Sequence, residues 1–175
     1  AYFHYDTVAS TNDTAHALIK KERPVFPCVI TANDQLAGRG TKGRYWYSKK
    51  GESLLYSCVF YTENPLLDPK KMVYEAAIVM RNCVLEQWGI ELDIKAPNDL
   101  YYRGKKCGGI LIQTIIQGHS CWCIIGIGLN VLVDAFPAEL TSSATSLVRI
   151  KPATYNINAI VIPLTVELLT HYDRI

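Results

Sequence analysis

The stretch Ile110–Ile127, with the sequence ILIQTIIQGHSCWCIIGI, decides the fold. Its two runs, Ile110–Ile116 and Ser120–Ile127, are rich in β-branched and other apolar residues, which favour strands. The residues Gln117–His119 between them include a glycine, which adopts turn conformations readily. The pattern therefore predicts two strands joined by a tight turn.

Strand-like segments lie on both sides of this pair. They are Tyr2–Val8, Cys28–Ala32, Glu52–Tyr61, Ile90–Lys95 and a strand that begins at Leu100–Arg103 and turns at Arg103-Gly104-Lys105. Glu52–Tyr61 is polar only at Ser53 and Ser57 after its first residue, which indicates a central strand. Sequential strands joined by short turns predict an α+β domain. We expect a mostly antiparallel mixed sheet with helices packed on one face.

Three segments have the spacing or the end signals of helices. They are a helix capped by one of Ser10–Asp13 that exits through Pro24 and Pro27, a helix over Lys70–Trp88 between Pro69 and Gly89, and a helix over Asn156–Tyr172. The first should turn Ala15, Leu18 and Ile19 inward. Pro163 should kink the last helix or shift its start.

Composition excludes several classes of protein. The 175 residues suit one domain, and a net charge of +2 without a basic run argues against a nucleic-acid partner. There is no apolar run of about 18 residues to span a membrane, and Ala1–Ser10 lacks the pattern of a signal peptide. Six cysteines without a zinc-like spacing predict buried free thiols and a cytoplasmic location: Cys28, Cys58, Cys83, Cys107, Cys121 and Cys123.

The segment Gly38–Arg44 alternates three glycines with three cations. Glycines let a backbone approach a ligand closely, and the cations favour an anion such as phosphate. The dinucleotide fingerprint requires a helix after the loop, but Tyr45-Trp46-Tyr47 follows here. A P-loop would need Lys and Ser or Thr where Arg44 and Tyr45 stand. On this segment alone, an ordinary charged surface loop is the alternative.

Three further segments place glycines, amides and charged residues at strand ends. They are Lys95–Asp99, Lys106–Leu111 and Gly126–Asn130. Each alone is explained by turn chemistry. Together with Gly38–Arg44 they predict a nucleotide pocket at one end of the sheet.

These residues resemble the catalytic domain of biotin protein ligases (biotin–acetyl-CoA-carboxylase ligases) over about Ser10 to Leu147. The motifs occur in the family's order: Ser10-Thr11-Asn12 for STN, Gln35 with Gly38–Arg44 for QxxGRGRxGR, Lys95–Asp99 for KWPND, Lys106-x-x-Gly109-Ile110-Leu111 for KxxGIL, Gly126–Asn130 for GxGxN and Ala144–Leu147 for ATSL. Trp46 follows the glycine-rich segment as it does in the family.

The resemblance implies a fold like that of class II aminoacyl-tRNA synthetases and a two-step reaction. Biotin and MgATP give biotinyl-5′-AMP, and a lysine of a biotin carboxyl carrier protein then takes the biotin. The implied catalytic residues are Lys106, Arg39 and Asp99, and Mg²⁺ would be held through the substrate phosphates, with Asp99 as a possible ligand. The implied biotin-binding residues are Ser10, Thr11, Asn12, Gln35, Gly38, Arg39, Lys106 and Gly109. The implied nucleotide-binding residues are Arg39, Arg44, Trp46, Lys95, Asn98 and Asn130.

The sequence departs from the family pattern at two positions. Ala96 replaces the family's tryptophan, and Thr41 stands where many relatives have arginine. We expect one catalytic domain over residues 1–175, with no DNA-binding domain before it and no β-barrel domain after it. Homodimer formation is left open. Two alternatives remain, a lipoate or octanoate ligase or transferase of the same fold and a non-catalytic biotin or nucleotide sensor.

Overall fold

The computed structural model describes residues 1–21, 26–63 and 68–172, and Pro24 therefore lies outside the described residues. The strands are β1 (Tyr2–Val8), β2 (Cys28–Gln35), β3 (Ser53–Thr62), β4 (Asp93–Lys95), β5 (Asp99–Tyr102), β6 (Lys105–Gln117) and β7 (Ser120–Asn130). The helices are α1 (Thr11–Lys21), α2 (Pro69–Trp88), α3 (Leu147–Ile150) and α4 (Val161–Tyr172), with 3₁₀ turns at Thr41–Gly43 and Ile157–Ile160.

The described strands form one seven-stranded sheet in the order β1-β2-β3-β7-β6-β5-β4. The pair β1 and β2 is parallel, and all other neighbours are antiparallel. Strands β6 and β7 form the predicted hairpin, in which Gln117 pairs with Ser120 and Gly118 has a φ of +62°. The predicted α+β class with a mostly antiparallel sheet is confirmed.

Helices cover both faces of this sheet, so the prediction that they pack on one face is wrong for α1. Helices α2 and α4 pack against one apolar core, whereas α1 packs with Ile30, Val59 and Ile124 in a second core. The physical reason lies in β7, where Cys121–Ile127 is buried at every position. A strand that is apolar on both sides needs cover on both sides. The side covered by α1 is called the α1 face below.

The ends of α2 follow the sequence signals. Asp68 caps the first turn by accepting a 2.9 Å hydrogen bond from the Lys70 amide, and Pro69 occupies a position where a missing N–H costs nothing. Gly89 ends the helix with a φ of +64°, as predicted. No described helix is both long and apolar enough to cross a membrane.

Two predicted boundaries are shifted. The last helix begins at Val161 after the 3₁₀ turn, so that Pro163 lies in its first turn, where proline is tolerated. The segment predicted as a strand over Ile90–Lys95 is a strand only at Asp93–Lys95. Ile90 and Leu92 are instead buried in the core beside α2.

All six cysteines are free and buried, as predicted. Burial raises the pKa of Cys58, Cys107 and Cys123 to about 12. These thiols stay protonated at neutral pH and are therefore poor nucleophiles and poor metal ligands. Within residues 1–21, 26–63 and 68–172, no three His, Cys, Asp or Glu side chains are grouped so that they could hold a metal ion.

Candidate active site

A cavity of about 260 Å³ lies where the start of α1, the Gly38–Arg44 segment, β5, β6, β7 and the 136–144 segment meet. Twelve of the fourteen predicted site residues line it: Ser10, Thr11, Asn12, Gln35, Arg39, Arg44, Trp46, Asn98, Asp99, Lys106, Gly109 and Asn130. The structure therefore brings residues from five separate sequence motifs to one place, whereas their individual roles stay predictions.

Three glycines on two neighbouring strands make room for the side chains of the site. A Cβ atom at Gly126 would overlap the Asn12 side chain, and one at Gly128 would lie 2.6 Å from the Trp46 ring. A Cβ at Gly109 would lie 3.3 Å from Lys106 Nζ. Each glycine thus allows one polar or aromatic side chain to lie directly on the sheet.

A β-bulge aims Lys106 into the cavity. Leu100 pairs with Gly108 but Tyr101 pairs with Lys106, so Cys107 is an extra residue in β6. Without it, Lys106 and Gly109 would point to opposite faces, because side chains alternate along a strand. The bulge places Cys107 in the core and turns Lys106 to the side of Gly109. The predicted strand began only at Ile110 and contained no bulge.

Lys106 is held from three directions. Its Nζ lies 2.7 Å from Asp99 Oδ1, in an ion pair whose side chains are 27% and 13% exposed. The same ammonium lies 5.5 Å from the centre of the Trp46 ring. The Lys106 backbone pairs with the 136–144 segment, since its N–H donates to Ser143 O at 2.8 Å. The site therefore contains a cation that is fixed before any ligand arrives.

Four side chains form a hydrogen-bonded group that we call the hydroxyl–amide cluster: Thr11, Asn12, Gln35 and Ser57. Gln35 Oε1 accepts from the Thr11 backbone N–H at 2.8 Å and lies 3.1 Å from Thr11 Oγ1. Ser57 Oγ lies 2.8 Å from Thr11 Oγ1 and 2.7 Å from Asn12 Oδ1. All four residues are buried. The cavity thus has one end with prearranged hydrogen-bonding groups.

The Gly38–Arg44 segment is folded as a compact hairpin beside the cavity. The Gly40 N–H donates to Arg44 O at 2.7 Å, and the Trp46 N–H donates to Gly38 O at 2.9 Å. Arg39 forms an ion pair with Asp13 in the first turn of α1. Arg44 donates to Thr41 Oγ1 at 2.8 Å. Both arginines predicted to bind phosphate are therefore engaged with groups of the protein. The part of the cavity that contains Arg39 and Arg44 is called the cationic end below.

Two predicted site residues do not line the cavity. Lys95 lies on the edge strand β4 with its Nζ 5.0 Å from the centre of the Tyr101 ring. Gly38 packs against its neighbours, since a Cβ there would lie 2.9 Å from both Gln35 Nε2 and Trp46 O. The position of the family's tryptophan, Ala96, is exposed and also lies outside the cavity lining.

The sequence reasoning missed Ser57 and one wall of the cavity. That wall consists of Tyr45, Tyr47, Tyr101, Phe136, Leu140, Ser143 and Ala144. Tyr47 and Phe136 are in contact, with ring centres 6.1 Å apart. The aromatic run after Arg44 and the Ala144–Leu147 motif were signals for this wall. For Ser57, the signal was a polar residue within an otherwise apolar strand.

Asn130 lines this site and has an unused hydrogen-bond acceptor. Its Nδ2 donates to Thr145 O at 3.1 Å, which fixes the orientation of the amide. Its Oδ1 is buried and has no hydrogen-bond partner among the described residues. Buried polar atoms without a partner are rare in proteins, and this one lies beneath the surface of the cavity wall. Asn98 differs, because its Nδ2 already donates to Ile110 O at 3.2 Å.

A mixed sheet with one polar, partly cationic cavity defines a small-molecule site for a ligand that has both a hydrogen-bonding and an anionic part. Comparison with known proteins agrees with a protein that binds such a small molecule. Residues 5–130 match the model of the biotin/lipoate A/B protein ligase family, and the chain belongs to that family.

Named relatives and solved structures extend the comparison. The chain is 37% identical over 147 residues to the bifunctional ligase/repressor BirA of Bacillus subtilis, covering 82% of this chain and 45% of the relative. It is 29% identical over 170 residues to the biotin–[acetyl-CoA-carboxylase] ligase of Mycobacterium tuberculosis, covering 93% and 62%. The biotin protein ligase of Aquifex aeolicus in complex with biotin and ATP has the same fold, with a TM-score of 0.82 and 23% identity over 99% of this chain and 70% of that one. The chain thus spans less than two thirds of the length of the two curated relatives.

Proposed function

We propose that this chain activates biotin with ATP to biotinyl-5′-AMP and transfers the biotin to a lysine of a biotin carboxyl carrier protein. The observation that carries the proposal is the pairing, in one cavity, of the hydroxyl–amide cluster with the fixed cation of Lys106. Membership of the ligase family and the names of the relatives support it.

The hydroxyl–amide cluster suits the ring of biotin. A cyclic urea presents N–H donors and a carbonyl acceptor, and the cluster offers both kinds of partner through Thr11 and Gln35. Ser10 and Asn12 complete this wall. A dithiolane ring, as in lipoate, has no such groups and would cover Gln35 Nε2 without offering it an acceptor, at a cost of about 1–3 kcal/mol. The cluster therefore favours biotin over lipoate or octanoate.

Lys106 would act at the first chemical step. An oxygen of the biotin carboxylate attacks the α-phosphorus of ATP, the bond to pyrophosphate breaks, and an acyl-adenylate forms. Two anionic groups must approach each other, so a cation between them lowers the barrier. Lys106 is held against Asp99 at the cavity wall, beside Gly109, where it can contact both groups.

The second step requires a neutral amine of the carrier lysine. It attacks the acyl carbon, the carboxyl–phosphate bond breaks, AMP leaves, and the amine loses a proton. Asp99 is the carboxylate nearest to Lys106 and is the candidate acceptor of that proton. Closure of the Gly38–Arg44 segment over the adenylate would exclude water from the reactive anhydride.

The nucleotide would occupy the cationic end and the aromatic wall. Arg39 and Arg44 would leave Asp13 and Thr41 to bind phosphate oxygens. Breaking these contacts costs little free energy, because the side chains are exposed. Asn130, Trp46 and Asn98 line the same space. Lys95 lies outside the cavity, and we do not include it in the proposed nucleotide site.

Magnesium fits this site only through its substrate. Mg²⁺ commonly uses one or two carboxylates together with substrate phosphates. Among the residues that line the cavity, Asp99 is the acidic one, and no metal-binding group of three exists in the described part of the chain. Asp99 would therefore be the protein ligand, and the metal would offset phosphate charge. Buried free thiols support a reducing compartment such as the cytoplasm. Homodimer formation stays a prediction.

Adenylate formation tests the proposal directly. The chain is incubated with biotin, Mg²⁺ and ATP labelled at the α-phosphate, and then with a carrier domain and labelled biotin. We expect biotinyl-AMP in the first reaction and labelled carrier in the second. Lipoate and octanoate serve as parallel substrates, and adduct formation with them alone would favour the alternative ligase. Biotin binding without adenylate at saturating ATP would identify a sensor.

A further inference from the structure

The direction of each hydrogen bond in the hydroxyl–amide cluster can be deduced from its neighbours. Asn12 Nδ2 lies 3.5 Å from Leu111 O and 2.9 Å from Gln113 Oε1. A backbone carbonyl only accepts, so the amide nitrogen must lie on that side and Asn12 Oδ1 must face Ser57. Because Oδ1 also only accepts, Ser57 donates its single hydroxyl proton to Asn12 at 2.7 Å.

The proton of Thr11 is consequently used inside the protein. Thr11 Oγ1 has two neighbours, Ser57 Oγ at 2.8 Å and Gln35 Oε1 at 3.1 Å. The Ser57 hydroxyl proton is used in the hydrogen bond to Asn12, and Gln35 Oε1 accepts from the Thr11 backbone N–H. Both neighbours are acceptors, so Thr11 donates to one of them. Thr11 offers only lone pairs to the cavity, whereas Gln35 offers only the donor Nε2.

We propose that Ser57 is a positioning residue that sets this donor–acceptor polarity and thereby selects the ring of the substrate. The inference rests on the proposed function. An acceptor at Thr11 beside a donor at Gln35 fits a ligand that carries an N–H next to a carbonyl, as a cyclic urea does. A ligand with an oxygen in place of that N–H would place two acceptors against each other.

Ser57 acts through Thr11 and not by direct contact. It is fully buried on β3 and is not among the residues that line the cavity. Its partner Asn12 can lie over β7 only because Gly126 has no side chain. The polarity of Thr11 is therefore determined by residues on α1, β3, β6 and β7, of which Ser57 lies behind the cavity wall.

Binding calorimetry with three ligands tests the inference. The ligands are biotin and its two cyclic carbamate analogues, in each of which one ureido N–H is replaced by oxygen. We expect the unsubstituted chain to bind one carbamate roughly 10- to 100-fold more weakly than biotin, because a site built around a hydrogen bond rejects an analogue that cannot make it. Ser57→Ala removes the nearer of the two acceptors of the Thr11 proton and leaves only Gln35 Oε1 at 3.1 Å. The proton can then turn toward the ring oxygen, so the ratio of the Kd for this carbamate to the Kd for biotin should fall about tenfold.

Two further variants make the test decisive. Ser57→Cys keeps nearly the same size with a weak donor and should shift the ratio in the same direction, even if Ser57→Ala fails to fold. Ser53→Ala is the matched control, because Ser53 is a buried serine on the same strand whose hydroxyl has no partner among the described residues and lies outside this cavity. It should leave the ratio unchanged.

The outcomes separate this inference from the proposed function. If Ser57→Ala and Ser57→Cys weaken biotin and the carbamates equally, or change neither, Ser57 has no role in polarity and the inference is wrong, while the ligase proposal stands. If the unsubstituted chain binds no biotin, the proposed function fails and this inference fails with it. A smaller preference for biotin in both variants supports it.

Discussion

The two ends of the cavity are built in different ways. In the hydroxyl–amide cluster, Thr11, Asn12 and Ser57 are 4%, 5% and 0% exposed, and each bonds to another buried group. At the cationic end, the Arg39 side chain is 55% exposed and is paired with Asp13, whose side chain is 39% exposed. One end is part of the core, and the other is a surface hairpin.

The difference indicates which end can change on binding. Breaking a buried hydrogen bond leaves polar atoms without water and costs about 1–3 kcal/mol, whereas an exposed ion pair contributes only about 0–1 kcal/mol. Asp13 can therefore be replaced by a phosphate at little cost, and the cluster cannot easily rearrange. A fixed end that recognises the ring and a movable end that collects the nucleotide suit an ordered binding of two substrates.

The largest effect is expected at Lys106, the fixed cation of the cavity. Lys106→Ala removes the cation at the reacting carboxylate, so adenylation should fall by about 10²–10³-fold. Biotin binding without ATP should weaken much less, because the hydroxyl–amide cluster remains. Single-turnover formation of biotinyl-AMP and calorimetric titration with biotin measure the two quantities separately.

Two controls belong to that comparison. Lys105→Ala removes the neighbouring lysine, whose Nζ donates to Thr141 O at 3.1 Å outside the cavity, and should leave adenylation unchanged. Lys106→Ala also leaves the largely buried Asp99 carboxylate unpaired. Adding Asp99→Asn should restore stability without restoring turnover. Equal losses of binding and adenylation in Lys106→Ala would show that Lys106 has no specific role in the reaction.

A pair of glycine variants tests whether the two ends differ in rigidity. Gly126→Ala would force a methyl group into the Asn12 side chain, and overpacking of this kind costs about 1–3 kcal/mol. Gly40→Ala places its methyl 3.6 Å from Arg44 O at a φ of −105°, which is ordinary contact without strain. We expect lower stability and weaker biotin binding for Gly126→Ala alone. Chemical denaturation measures the stability of both variants, and calorimetric titration measures their binding of biotin. Equal destabilisation of the two variants would contradict the difference in rigidity between the two ends.

A smaller effect is expected from the ion pair of the cationic end. Asp13→Asn removes the competitor for Arg39 and should lower the KM for ATP a few-fold at low salt, with stability changed by less than about 1 kcal/mol. The gain should disappear at high salt, since exposed charges are screened. Asp6→Asn breaks a similar exposed pair with Lys50, away from the cavity, and is the matched control. An unchanged KM for ATP in Asp13→Asn at low salt would show that Asp13 does not restrain Arg39.

The sequence predicted the parts of this molecule that depend on local chemistry. The hairpin of β6 and β7, the capped ends of α2 and the inward face of α1 all follow from residues that are close in the chain. The motifs also identified many of the residues that line the cavity, because several segments with glycines and polar residues at strand ends occur together in this chain. These signals are local, and so are the structures they predict.

What the sequence did not predict depends on contacts between distant segments. The bulge at Cys107 is defined by how β6 pairs with β5, and no sequence pattern within β6 predicts it. Ser57 matters only because α1 places Thr11 and Asn12 against it, about 45 residues away along the chain. The ion pair between Arg39 and Asp13 likewise joins segments that are 26 residues apart in the chain. Periodicity indicates that a side chain is buried but not which partner it meets.

The smallest effect is expected from the cysteines, which lie outside both ends of the cavity. Cys107 directly follows Lys106, yet burial raises the pKa of its thiol to about 12. At pH 8 a thiol reagent such as dithionitrobenzoate should therefore label none of the six cysteines quickly in the folded chain, and all six in denaturant. Adenylation should survive treatment of the folded protein. Because an unfolded thiol ionises near pH 9 and the buried thiol does not, stability should decline as the pH rises above 9, and less steeply in Cys107→Ala. Rapid labelling of Cys107 at pH 8, with loss of adenylation, would show that the bulge opens and that Lys106 is less fixed than its contacts indicate.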